Sequence, residues 1–157
     1  MKKRNYTVDI CPISPADIFE VKSLEQECNL APWSLDDYFF ETARADSIAL
    51  AAKTENRVAG FLIARLIILP SSNILYEIEI YNLCVARKYR KNGIGRALIQ
   101  EMIRGRKEKT TSIWLEVRRS NAKARSFYKG LGFETIGSRK NFYRNPTEDG
   151  IIMKKSF

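Results

Sequence analysis

Asn82-Leu83-Cys84-Val85-Ala86-Arg87-Lys88-Tyr89-Arg90-Lys91-Asn92-Gly93-Ile94-Gly95-Arg96-Ala97-Leu98-Ile99 is the stretch around which the rest of the chain is organised. It reads as the end of an apolar strand, a basic turn of the form Arg90-x-x-Gly93-x-Gly95, and the first turn of a helix. Glycine at such a junction lets backbone approach a ligand closely, and the free N–H groups of a helix start favour an anion. Arg87, Lys88, Arg90, Lys91 and Arg96 bring fixed positive charge to the same turn, although a glycine pair before a helix also serves as plain turn chemistry. The pattern is neither of two familiar phosphate loops: no Lys-Ser or Lys-Thr follows Gly95, and no third glycine stands at dinucleotide-fold spacing.

Upstream of the turn, Ile74 to Val85 alternates in polarity. Glu77, Glu79, Tyr81, Leu83 and Val85 fall on one face, and Ile78, Ile80, Asn82 and Cys84 on the other, as in a long central strand. The acids of that face suit either a cationic substrate or a solvated, ion-paired surface. Downstream, Ile94, Ala97, Leu98, Glu101 and Met102 recur at helical spacing as far as Gly105.

The remaining elements follow from local signals. Tyr6 to Ile10 alternates as an edge-like strand, and Ser14 or Asp17 can cap a helix running through Ile18, Val21, Leu24 and Cys28. Pro32 breaks it. Ser34 then caps a second helix that carries Asp36 and Asp37 in its first turn and reaches about Ala43. Trp33 stands just before that cap, either as a hydrophobic staple or as a substrate-lining aromatic of the 31–34 loop. Ser47–Lys53 and Arg57–Leu69 read as strands joined at Thr54-Glu55-Asn56, and the 70–73 stretch closes the second. Ile113–Val117 is a short strand, Asn121 caps a helix with Ala124, Phe127 and Tyr128, and Phe133–Arg139 with Asp149–Lys155 makes a last strand pair.

This order predicts one α/β domain over residues 1–157, a mixed sheet with helices on its faces. The glycine turn falls at the C-terminal end of the central strand, where open sheets bind ligands. With 157 residues and 45% hydrophobic content, the chain is long enough for a real core. Its formal charge of +9 implies anionic company: nucleic acid, ribosomes, acidic membranes or a phosphate-rich cofactor.

Cys11, Cys28 and Cys84 are odd in number and lack CxxC spacing, which speaks against a disulfide framework or a cysteine-rich metal site and fits a reducing compartment. Polar residues follow the basic Met1–Arg4, and Arg65 interrupts the longest apolar run, so neither a signal peptide nor a membrane span is expected. The chain contains no histidine, so proton chemistry falls to carboxylates, tyrosine, lysine or cysteine.

On that sheet Glu116 and Tyr128 would lie beside the end of the central strand. A glutamate can accept a proton and a neutral tyrosine can donate one. By the residues alone, Glu116 reads equally as a structural acid paired with Arg118 or Arg119, and Tyr128 as a core aromatic.

Leu83-Cys84-Val85, Arg90-x-x-Gly93-x-Gly95-Arg96-Ala97-Leu98, Leu115-Glu116-Val117-Arg118, Asn121 and Phe127-Tyr128-x-x-Leu131-Gly132-Phe133 together resemble the GNAT superfamily of acetyl-coenzyme A-dependent N-acetyltransferases, across about residues 76 to 155. Trp114 to Asn121, Arg139 to Tyr143, Asp149 to Met153 and Ala31-Pro32-Trp33-Ser34 are similar to the ribosomal-protein alanine N-terminal acetyltransferases within it. The resemblance implies the GNAT fold, a mostly antiparallel mixed sheet of about seven strands flanked by about four helices.

It also implies residue roles. Leu83, Cys84 and Val85 would pair with the pantetheine arm. Arg90, Lys91, Asn92, Gly93, Ile94, Gly95 and Arg96 would hold the pyrophosphate, with Asn121 as a further cofactor contact. Glu116 would be the general base, Tyr128 the acid toward the leaving thiolate, and Trp33 and Tyr143 would meet the substrate. No metal is implied, and transfer would be direct.

The implied partner is a protein N-terminus in the cytoplasm, with ribosomal protein S18 the leading candidate. Lysine or small-molecule amines are the nearest alternative acceptors. A non-catalytic ribosome- or nucleic-acid-binding module is the alternative of another class. Phe142 stands where this subfamily often has tyrosine, and Arg87 replaces a proline common after the central strand.

Overall fold

The computed structural model describes residues 7–71 and 73–157. Met1–Arg4, Tyr6 and Ser72, on which three of the sequence expectations fall, lie outside the described residues. The chain forms two compact units, Met1–Arg65 with Asn82–Arg104, and Leu66–Tyr81 with Gly105–Phe157.

In the first unit, β1 (Asp9–Pro12) pairs antiparallel with β2 (Ser47–Thr54), which pairs antiparallel with β3 (Arg57–Leu69) from Ser47↔Arg65 to Thr54↔Arg57. Helix α1 (Ile18–Glu27) begins where the Ser14 N–H and hydroxyl both donate to Asp17 at 2.8 and 2.7 Å, so the two candidate caps act together. Helix α2 (Leu35–Ala43) starts from a reciprocal cap: the Asp37 N–H donates to Ser34 Oγ, and Asp37 accepts from the Ser34 N–H and hydroxyl. Trp33 occupies the staple position, one of its two readings, its ring 5.3 Å from that of Tyr38 four residues into the helix.

The buried side chains Ile18, Val21, Tyr38, Phe61, Leu62, Leu98 and Met102 fill this unit's core. Each contributes about 1.5–3 kcal/mol through removal of apolar surface from water. The central strand β4 (Leu75–Val85) alternates as its sequence predicts: Ile78, Ile80, Asn82 and Cys84 are all buried, whereas Glu77, Glu79, Tyr81, Leu83 and Val85 are not.

The second unit holds β5 (Thr110–Arg118), α4 (Ala122–Lys129), β6 (Glu134–Tyr143) and β7 (Glu148–Ser156). β4 and β5 pair in parallel through Ile80↔Leu115, and β7 lies antiparallel between β5 and β6. The hydrogen-bonded strand order is β1-β2-β3-β4-β5-β7-β6, the mixed, mostly antiparallel seven-stranded sheet and four helices expected of the GNAT fold. Among the described residues no helix is long and apolar enough to cross a membrane.

Three sequence expectations need correction. The first strand, expected at 6–10, starts at Asp9 and runs to Pro12. Cys28 and Cys84 form a disulfide across 56 residues, with Cys11 free, contrary to the reading from cysteine spacing. The fold sets the C-cap residue of α1 against the inward face of β4, with the two Cα atoms 6.1 Å apart, a proximity that linear spacing does not encode. β6 also runs past Arg139 to Tyr143. Asn141 adopts φ 53°, its N–H donates to Asp149 Oδ1 at 3.0 Å, and the register shifts between Arg139 and Tyr143, so the strand continues through a bulge.

Candidate active site

The glycine turn belongs to the first unit. After β4 the chain makes a single 3₁₀ turn, Arg87–Tyr89, and enters α3 (Ile94–Ile103) through Gly93, whose φ of +81° is open to glycine and strained for other residues. Among the described residues, nothing lies within 4 Å of a Cβ built there and no side chain caps the start of α3. Lys91, Asn92, Gly93 and Arg96 are exposed, Gly95 is half-buried, and Ile94 anchors the helix start in the core. A helix start without a side-chain cap, beside exposed Lys91 and Arg96, carries the sign of charge that suits an anion.

Not every predicted cofactor residue points outward. The Asn92 amide braces the turn by donating to the carbonyls of Tyr89 and Arg90 at 3.1 and 3.2 Å. Arg90 folds back, with Nε donating to the Val85 carbonyl at 2.8 Å and Nη2 lying 3.5 Å from Cys28 Sγ. Leu83, Cys84 and Val85 lie beyond the last β4 residue in register with β5, Ile80. Gly60 on β3 meets this segment so closely that a Cβ would sit 2.7 Å from the Cys84 carbonyl oxygen.

Trp33, also in the first unit, is half-buried. Its N–H donates to the buried Glu25 carboxylate at 2.9 Å, a contact the sequence reading did not contain.

In the second unit, Glu116 sits on β5 with its side chain 10% exposed, and Arg139 Nη1 donates to Oε1 at 2.8 Å. The expected structural partners are otherwise engaged, Arg118 with Glu148 and Arg119 with Asp149. Arg139 is the contact that local sequence missed, because it comes from β6, on the far side of β7. Its guanidinium lies over Phe142, 4.4 Å from the ring centroid, and a Cβ at Gly150 would come within 3.0 Å of that ring.

The Tyr143 hydroxyl donates to the Glu116 carbonyl at 3.0 Å, so one β6 segment holds both the side chain and the backbone of Glu116. Burial, then the neighbouring Glu116, pushes the Tyr143 phenol up to about 12. Tyr128, on α4, is 7% exposed, with the Phe127 and Phe133 rings 5.2 and 5.4 Å away. Burial raises its phenol well above the usual tyrosine range, which keeps it in the protonated form an acid needs. Asn121 uses its side-chain oxygen to cap α4, accepting from the Ala124 N–H at 3.1 Å. Among the described residues no group of three or more Cys, Asp or Glu gathers as a metal site would require.

Residues 18–133 match the model of the Acetyltransferase (GNAT) family. The ribosomal protein bS18-alanine N-acetyltransferase of Salmonella typhimurium is 32% identical over 146 residues, 90% of this chain and 92% of that one. The enzyme of the same name from Haemophilus influenzae is 30% identical over 92% of this chain and 95% of its own. Among solved structures, the Escherichia coli ribosomal-protein-S18-alanine N-acetyltransferase superposes with a TM-score of 0.80 at 28% identity, covering 96% of this chain and 94% of that one.

Proposed function

Since the chain belongs to the GNAT acetyltransferase family, we propose that it moves the acetyl group of acetyl-coenzyme A to a protein N-terminal α-amine, that of the alanine of ribosomal protein bS18. The observation that carries this reading is that two relatives bearing that activity in their names match across nine-tenths or more of both chains. We read residues 1–157 as one catalytic domain working in the cytoplasm.

In this mechanism the amide cradle at Gly93 and Gly95, with Lys91 and Arg96, receives the pyrophosphate, and the β4 edge at Leu83–Val85 pairs with the pantetheine arm. Arg90 and Asn92 shape the turn by the hydrogen bonds described, and Asn121, while capping α4, adds its exposed amide group. Glu116 takes a proton, directly or through water, from an amine whose unperturbed pKa is about 8. The neutral nitrogen then attacks the thioester carbon and forms the C–N bond. As the C–S bond breaks, Tyr128 donates its proton to the departing thiolate, and the second proton lost by the nitrogen passes through water to restore the Tyr128 hydroxyl, leaving the first on Glu116 to be released to solvent. A free amine competes directly for the acetyl group, so no acyl-enzyme is required.

The test is acetyl transfer to a peptide beginning Ala-Arg-Tyr, beside the same peptide with a blocked N-terminus and a panel of small amines, read by mass spectrometry. Acetylation confined to the free N-terminus supports the reading. Activity confined to small amines overturns the acceptor and leaves the reaction class in place. Tyr128→Phe is expected to slow transfer by about 10²-fold, the scale of one general acid, with coenzyme A affinity nearly unchanged. Collapse of that affinity would make Tyr128 a binding or packing residue instead.

A further inference from the structure

Among the described residues of the first unit, three acids are buried: Asp17, Glu25 and Glu41, at 8, 1 and 3% exposure. Two are paired in the ordinary way, Asp17 with Lys53 and Glu41 with Arg65. Glu25 differs because its bonds converge on one short loop. Its Oε2 accepts from the Trp33 N–H at 2.9 Å and from the Tyr38 hydroxyl at 2.6 Å, and its Oε1 accepts from Lys22 Nζ. The same ammonium donates to the Trp33 carbonyl, so the Trp33 residue is clamped at both its N–H and its C=O. At the loop's other end, the Leu30 N–H donates to the backbone oxygen of Glu25 at 3.1 Å, after Asn29 turns the chain at φ 53°.

The groups described as bonding this carboxylate are an ammonium, a backbone N–H and a phenol. Burial, then the Glu25 hydrogen bond, raises the Tyr38 phenol far above its usual range, so it stays a donor as well. A carboxylate accepts on both oxygens, whereas an amide has a single acceptor oxygen and would turn its NH₂ toward other donors. Glu25 is therefore costly to bury and suited to one task, holding several donors at fixed positions. The rings complete the hold: Trp33 packs on Tyr38, and Tyr38 meets the buried Phe61 edge-on at 6.3 Å.

We propose that Glu25, with Lys22, is a positioning residue that builds the Ala31–Ser34 loop into a rigid wall of the acceptor site before substrate arrives. This inference rests on the reading of Trp33 as acceptor-lining, and it assigns the buried carboxylate to peptide affinity in place of chemistry. A loop held in its bound shape spares the complex the entropy of ordering it.

Two readouts separate the inference from its premise. The first uses no catalysis: in a Trp114→Phe background Trp33 is the sole remaining tryptophan of the two, and acrylamide quenching reports its mobility. Glu25→Gln is expected to raise the quenching constant. The second is steady-state kinetics, where Glu25→Gln should raise the peptide KM about tenfold, hold the acetyl-coenzyme A KM within about twofold and change kcat less than about threefold. Trp33→Ala should raise the same KM, and the double variant should be no worse than the poorer single one, as for residues acting as a unit.

Unchanged quenching overturns the positioning role. Raised quenching with an unchanged peptide KM in both Glu25→Gln and Trp33→Ala overturns the premise that this loop meets the acceptor, and the inference with it. If Trp33→Ala raises the peptide KM and Glu25→Gln does not, Glu25 is a core residue only. Should Glu25→Gln fail to fold, Lys22→Met, which releases only the Trp33 carbonyl and one carboxylate oxygen, is expected to raise the peptide KM about three- to fivefold. No rise in that variant counts against the proposal.

Discussion

Glu116→Gln is expected to lower kcat by about 10²- to 10⁴-fold, the range that one positioned general base supplies. The loss should be pH-dependent, with a sign fixed by the acceptor. Below an amine pKa of about 8 the nucleophile arrives as an ammonium and its proton must be removed, so the deficit should be largest near pH 6 and shrink toward pH 9. Glutamine preserves the volume of the side chain on β5 and leaves an oxygen for the Arg139 hydrogen bond at 2.8 Å, so thermal stability should move little. A pH–rate profile of both proteins decides it. A deficit that is flat across pH would assign Glu116 to holding Arg139 and the β6 segment, and no deficit would remove it from the mechanism.

Opening the Cys28–Cys84 bond is expected to cost about 4 kcal/mol of stability, on the chain-entropy scaling for a crosslink spanning 56 residues. Urea unfolding with and without a thiol reductant should show the midpoint falling by about 2 M, given ordinary slopes for a domain of this size. Cys28→Ser should fall by a similar amount and lose its sensitivity to reductant, while Cys11→Ser should behave as wild type. A midpoint indifferent to reductant would mean that the two sulfurs are not bonded in solution. A reducing compartment would hold the pair open and leave the less stable form.

What the sequence made legible was local. The Ser34 cap, the staple reading of Trp33, the glycine turn ahead of α3 and the Asn121 cap each depend on residues within a few positions, and each is present. The alternation in β4 was readable because one face is buried from Ile78 to Cys84. Contacts made by the folded chain were not. Cys28 meets Cys84 only because α1 lies against β4, and Arg139 reaches Glu116 only because β6 and β5 flank the same strand. The same reason explains why Glu25 escaped notice: within a helix of ordinary composition it reads as a surface acid, and only the return of the 30–38 segment buries it. For the site, residue types were legible and their partners were not.

The bulge in β6 has a consequence for how the sheet edge can change. Between Arg139↔Gly150 and Tyr143↔Glu148, three β6 residues stand opposite a single residue of β7. β6 is the edge strand, whereas the β5–β7 register runs unbroken from Ser112↔Ser156 to Arg118↔Gly150. A gain or loss of residues at 140–142 is therefore absorbed at the rim, shifting Arg139 and Tyr143 against a Glu116 that stays where it is. Insertions and deletions there would reshape the rim of the sheet around Arg139 and Tyr143 while β5 and Glu116 keep their register.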